Sequence, residues 1–284
     1  MTDHWSENTL RSRILDSRKK ERFQAGSPNP DEIRAYTQHL PKHEPPGNRG
    51  AAVVLGMTPE LRKAALEAFD HFYSIDINSH SISMYEKWLT KEESLRETLV
   101  RANWFDLSIV FKPAAQNIRV VFGDGVFGNT ASEEQHRQLI DELRSVFPEA
   151  ALVFRKILMP EDSELETLRF DNLIARFRAN EIDACEFGFA ARIVGLSEIH
   201  YNKKSALLDN RAIFSDYANM REQKKLSASE YEAILRYRFY GKNCVLREST
   251  WEKLLKGAGV SFKKTQLSGK LWYSFYPVYH CKGG

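Results

Sequence analysis

The chain has 284 residues, of which 42% are apolar and 28% charged, with a formal net charge of +3. These values exclude a disordered chain and a disulfide scaffold, and so small a charge does not point to a polyanionic partner. No window approaches the run of about eighteen apolar residues that a spanning helix needs, and the polar start from Thr2 to Asn8 lacks a secretory stretch, so the expected compartment is the cytoplasm.

Residues 6–24 and 31–40 are predicted helices, separated by the turn-forming Gly26-Ser27-Pro28-Asn29-Pro30. The basic run from Arg11 to Arg22 is interrupted by Asp16 and Glu21, and Leu10, Ile14 and Leu15 have helical spacing, so a solvated amphipathic helix is preferred to a nucleic-acid arm. A breaker-rich connector follows, and residues 1–50 are predicted as an N-terminal helical lid and linker. His39 and His43 have i,i+4 spacing, but Pro41 between them breaks the helix that a shared metal face requires, so no metal is expected there. Cys185, Cys244 and Cys281 are odd in number and far apart, and are predicted free thiols.

From Ala51 the pattern alternates. Apolar runs at Ala51–Gly56, Phe72–Ile77, Thr98–Trp104, Ile118–Phe122 and Ala150–Ile157 are interleaved with helical periodicity at Pro59–Phe69, Ser81–Leu89 and Ala131–Phe147. Continuous apolar strands alternating with helices predict a parallel sheet covered on both faces. After Pro160 the alternation stops, and residues 161–247 read as a mainly helical insertion, with capping-box spacing at Ser163/Glu166 and Ser227/Glu230. It resumes with a helix starting at Ser249/Glu252, a strand Val260–Gln266 and a strand Leu271–Cys281. The short gap between those strands predicts an antiparallel hairpin, with the last strand inserted in the sheet and a bulge or unpaired position at Pro277. Residues 51–160 and 248–284 thus form one α/β core.

The chemistry concentrates at strand ends. Val53-Val-Leu-Gly-Met-Thr-Pro-Glu-Leu61 joins an apolar strand to one tight-turn glycine and to Thr58-Pro59, a cap and first helical residue, and so presents unpaired N–H groups beside Gly56. Asp76 ends the second strand twenty residues after Gly56, where a carboxylate can accept from both hydroxyls of a ribose, with Ile77 placed to pack on a base. Each feature also has a plain structural explanation, a capped helix and a turn aspartate.

Val53–Leu61, Ser74–Asn78, Ala102–Leu107, Val120–Asn129 and Glu134–Phe154 resemble, in order and spacing, the successive motifs of the Rossmann-like (class I) S-adenosylmethionine-dependent methyltransferases. They are most similar to the branch whose fourth strand ends in Gly-Asp-Gly. The resemblance implies that Gly56, Met57 and Thr58 border the methionine part of S-adenosylmethionine, that Asp76 holds the ribose, and that Ile77 lies beside the adenine. It implies that Asn103, followed by Trp104, takes the place of the acidic adenine contact, and that Gly123, Asp124 and Gly125 lie under the methionine end. One departure stands out, because the family's glycine-rich loop is reduced here to Gly56 alone.

The expected reaction is in-line methyl transfer to a small organic acceptor, leaving S-adenosylhomocysteine, with the insertion selecting the acceptor. No catalytic residue is assigned, although His200, Tyr201, Tyr217 and Tyr237 are available as bases. Aromatics of the insertion, among them Phe187, Phe189, Phe214, Tyr231, Phe239 and Tyr240, are expected to pack its helices or to line a pocket for a flat substrate. A nucleic-acid acceptor and a membrane are not expected. The alternatives are a catalytically silent cofactor-binding protein, favoured by the eroded loop, and a nicotinamide dehydrogenase, disfavoured because no GxGxxG follows the first strand.

Overall fold

The computed structural model describes residues 26–40, 45–111, 117–239 and 241–283. The predicted helix over 6–24 lies outside them, as do Pro41, His43 and Tyr240. Asn29 opens helix α1 (Pro30–Thr37) with a capping box, its side chain accepting from the Glu32 amide while Glu32 accepts from the Asn29 amide.

The core is a seven-stranded sheet in the order β3-β2-β1-β4-β5-β10-β9. Its strands β1 (Ala51–Leu55), β2 (His71–Asp76), β3 (Glu97–Arg101), β4 (Ile118–Asp124) and β5 (Ala151–Arg155) are parallel, and β10 (Val278–Gly283) runs antiparallel to both β5 and β9 (Val260–Thr265). All five residues of β1 are buried, as a central strand covered on both faces requires.

Alternation along the strands sends two sets of side chains to two helical layers. Ala52, Val54, Phe72, Phe122 and Val153 pack with α1 and α2 (Pro59–Ala68). Val53, Leu55, Val121, Leu152 and Phe154 pack with α5 (Glu133–Val146) and α10 (Glu248–Gly257). The short helices α3 (Ser79–Tyr85) and α4 (Leu107–Phe111) follow β2 and β3.

The insertion has its own core, built on α6 (Phe170–Arg178), α7 (Ala184–Ala190), α8 (Asn210–Glu222) and α9 (Ala228–Leu235). It also contains a small antiparallel sheet, which periodicity missed because its strands β6 (Tyr201–Asn202), β7 (Leu207–Asp209) and β8 (Lys242–Cys244) are only two or three residues long. Capping is as expected at Ser227/Glu230. It is not at Ser163/Glu166, where Glu161 and Glu164 form the box, nor at Ser249, which lies inside α10 behind the N-cap Arg247. The third strand ends at Arg101, so Ala102–Trp104 is loop.

The C-terminal expectation is half right. β10 is inserted and antiparallel, but it starts only at Val278, and Leu271–Ser274 forms a turn of 3₁₀ helix. Pro277 cannot donate to the ladder, yet its carbonyl accepts from the Lys156 amide at 3.0 Å and that of Phe275 from Leu158 at 2.9 Å. Pairing with β5 therefore continues through acceptors alone. Trp272, Tyr273, Phe275 and Tyr276 turn away from the sheet into the core of the insertion.

Candidate functional site

Gly56 leaves β1 with φ +92°, a conformation that favours glycine, and its amide donates to the Ile75 carbonyl at 2.7 Å. The Trp104 indole donates to the same carbonyl at 2.8 Å. The loops after β1 and β3 are thereby tied to the end of β2, and the Trp104 ring lies 3.8 Å from where a Gly56 Cβ would stand. Met57 is buried at 4% exposure beside this turn. Thr58 occupies the cap position with Pro59 first in the helix, but its hydroxyl makes no capping bond.

Asp76 ends β2 next to this turn, since Leu55 and Ile75 are register partners. Its carboxylate accepts from the Asn78 amide at 2.8 Å, and burial raises its pKa despite that bond. Ile77 beside it is 43% exposed, an apolar side chain left open to solvent. Asn103 is turned onto its own loop, donating to Asp106 at 3.0 Å and accepting from the Phe105 amide at 3.3 Å.

The Gly123-Asp124-Gly125 turn is fastened from below. The Tyr36 hydroxyl donates to the Gly123 carbonyl and accepts from the Arg155 amide, both at 2.8 Å. Gly125 has φ +61°, and Gly123 has no room for a Cβ, which would stand 2.7 Å from Val126 and 2.8 Å from Phe154. Asp124 is not a free carboxylate: Arg155 donates to it at 2.8 and 3.1 Å, and Tyr276 at 3.3 Å. Arg155 reaches on to Glu32 at 2.6 Å, and its guanidinium lies 4.1 Å over the Tyr276 ring. Burial opposes the Arg155 charge, but Asp124, Tyr276 and Glu32 outweigh it and hold its pKa well above the usual value. Composition cannot reveal this network, because Glu32 is 92 residues before Asp124.

Lys156, immediately after Arg155, points to the opposite face. Its side chain is buried, and burial pushes its pKa down to about 7. The His136 Nδ1 donates to the Ser132 carbonyl at 2.9 Å, so its Nε2 accepts from the Lys156 ammonium at 2.9 Å. Phe127 and Trp251 rings stand 5.6 and 5.4 Å from that nitrogen.

The four candidate bases all have structural partners. His200 is 2.7 Å from Asp216, Tyr201 donates to the Val245 carbonyl at 2.9 Å, Tyr217 donates to the Ala191 carbonyl at 2.9 Å, and Tyr237 packs edge-on against Phe189. Among the described residues no group of three or more His, Cys, Asp or Glu is placed to hold a metal ion, and no helix is long and apolar enough to cross a membrane.

The sheet order, with the last strand in sequence inserted antiparallel between the fifth and sixth, differs from the 3-2-1-4-5-6 order of nicotinamide-binding domains. No family model matches the sequence, and no curated protein does. Solved structures do. A glycopeptide N-methyltransferase, MtfA, crystallised with S-adenosyl-L-methionine, has a TM-score of 0.50 at 12% identity, over 89% of this chain and 86% of that one. The fold is that of the Rossmann-like methyltransferases. A protein of Pyrococcus horikoshii OT3, PH0226, is similar as well, with a TM-score of 0.50 at 13% identity over 100% of this chain and 96% of that one. A crystal structure from Rhodobacter sphaeroides, described as a putative Zn-dependent alcohol dehydrogenase, has a TM-score of 0.56 at 15% identity and covers 92% of each chain.

Proposed function

We propose that the chain binds S-adenosylmethionine and transfers its methyl group to a small organic acceptor held by the insertion. The observation that carries this reading is the pairing, at adjacent strand ends, of the left-handed Gly56 turn, whose amide bonds the Ile75 carbonyl, with the half-buried Asp76 carboxylate next to Ile75 in β2. A ribose placed there meets an acceptor for its hydroxyls. Gly56, Met57 and Thr58 border the methionine moiety, whose carboxylate meets the N-terminus of α2. Ile77 and Trp104 flank the adenine, and Asn103 offers its remaining acceptor capacity to the adenine amino group.

The residues fit the cofactor with one adjustment. Because Arg155 and Tyr276 hold Asp124, that carboxylate shapes the Gly123–Gly125 turn and supplies no free charge to the methionine end. When bound, the cofactor supplies an activated methyl on a sulfonium. The chain's share is to align the acceptor with that methyl group and exclude water from between them. Proximity alone accounts for a large part of the acceleration, in keeping with a site in which no side chain is assigned as a base.

The single-glycine loop, with Trp104 against it, favours a second reading in which the protein binds the cofactor without turnover. Titration with adenosylhomocysteine by calorimetry tests the shared premise, with saturable binding expected. Transfer of labelled methyl to acceptors that copurify, read by mass spectrometry, separates the two readings. In a thermal-shift competition, stabilisation by NAD and not by adenosylhomocysteine overturns both in favour of a dehydrogenase.

A further inference from the structure

A half-open pocket of about 260 Å³ lies between α8 and α9 of the insertion. Arg211, Phe214, Ser215 and Ala218 line it from α8, and their i, i+3, i+4, i+7 spacing makes them one stripe of that helix. Tyr231 and Leu235 line it from α9, one turn apart, and Arg238 and Phe239 close it. Phe214 and Phe239 are 6% and 8% exposed, so their rings are anchored in the packed insertion while bordering the cavity. Ala218 leaves open the space that a larger side chain on the same stripe would fill.

The exposed Arg211 guanidinium lines this space, and none of the lining residues is a carboxylate. Several basic side chains of the insertion have acidic partners: Arg178 is 2.7 Å from Glu230, Arg169 is 3.1 Å from Glu198, and Lys203 is 2.8 Å from Asp162. Arg211 has no ion pair and no side-chain hydrogen bond among the described residues. The back of the cavity is braced. The Arg192 guanidinium lies 4.9 Å over the Phe239 ring and donates to Asn243 at 3.2 Å, and Asn243 donates to the Gly128 carbonyl in the loop after β4. Flat apolar walls with an unneutralised fork of N–H donors at the rim match a ring bearing an anionic group.

We propose that this cavity is a binding site for a small organic anion with a flat apolar body, an aromatic carboxylate or an aryl phosphate, whose ring packs on Phe214, Tyr231 and Phe239 and whose anionic group pairs with Arg211. The site lies wholly within the insertion and does not depend on the cofactor reading.

The test is ligand-observed NMR and calorimetry on the full chain without cofactor, using indole-3-carboxylate and phenyl phosphate against their neutral counterparts indole-3-carboxamide and phenol. Saturable binding of at least one anion is expected, at least tenfold tighter than its neutral counterpart, and the preferred anion tells carboxylate from phosphate. Arg211→Gln, an exposed position, should weaken it about tenfold with an unchanged melt, and Ala218→Leu should abolish it by filling the cavity. Absence of saturable binding by either anion up to millimolar concentration, equal binding of the neutral compounds, or indifference to Arg211→Gln overturns the proposal.

Discussion

The Arg155 guanidinium stands between the carboxylates of Asp124 and Glu32, 2.8 Å from one and 2.6 Å from the other, with none of its side chain exposed. One charged group thus joins the end of β4 to helix α1, and the Trp272 indole donates to the same Glu32 oxygen at 3.1 Å. Removing one partner of a buried pair leaves an uncompensated charge. Glu32→Ala is therefore expected to cost about 3–5 kcal/mol, read as a fall in the urea midpoint. A loss under about 1 kcal/mol would mean that water or the remaining partners already satisfy Arg155.

Asp76 is the residue on which cofactor binding most depends in the proposed reading. Asp76→Ala should weaken adenosylhomocysteine binding by roughly 1.5–3 kcal/mol, about ten- to a hundredfold, since a buried ribose loses a charged acceptor. Calorimetry giving wild-type affinity from a folded mutant removes Asp76 from the site.

Lys156 makes stability depend on pH. Its folded pKa of about 7 lies below the usual 10.5, so well below pH 7 both folded and unfolded chains carry the proton and the cost of a buried ammonium is fully present. Between pH 7 and 10.5 the unfolded chain holds a proton that the folded one has lost, and this group's contribution rises with pH. Lys156→Met should flatten that slope and raise stability at pH 7 by an amount on the order of 3 kcal/mol. A pH profile identical to wild type would show that the amine is solvated or paired in the native state.

Gly188 lets α7 and α9 touch. A Cβ there would stand 2.0 Å from the Ala233 carbonyl oxygen, a backbone atom that cannot swing aside. Gly188→Ala should destabilise the insertion by about 3 kcal/mol or more, seen as earlier proteolysis within residues 161–247. An unchanged digestion pattern would place the α7–α9 contact wrongly.

Truncation after Gln266 should abolish cooperative unfolding. It removes β10 from between β5 and β9 and takes Trp272, Tyr273, Phe275 and Tyr276 out of the insertion's core. A soluble truncated chain with a sharp melt and retained adenosylhomocysteine binding is the outcome that contradicts this.

Strand–helix alternation from Ala51 to Arg155 was legible in the sequence because β1, β4 and β5 are buried along nearly their whole length and the helices α2 and α5 on one face, so local periodicity carries the information. The antiparallel C-terminal strand was legible from its apolar character, but not its late start. Trp272 and Tyr276 are as apolar as a strand residue should be, and only the presence of the insertion core decides that they leave the sheet. The short strands at Tyr201, Leu207 and Lys242 were hidden for a similar reason, since two or three residues carry no period.

For the candidate site, the sequence by itself determined the residues that backbone geometry demands: a glycine where φ is positive, a carboxylate at a strand end, a proline at a helix start. It could not determine what those side chains touch. Asp124 reads as a turn residue or a cofactor contact until Arg155 and Tyr276 are seen to hold it, and Lys156 reads as an ordinary surface lysine until Phe127, His136 and Trp251 close around it. Local conformation depends on neighbours in sequence. Charge state and hydrogen-bond partners depend on groups brought together from residues 32 to 276, and only the tertiary structure decides those.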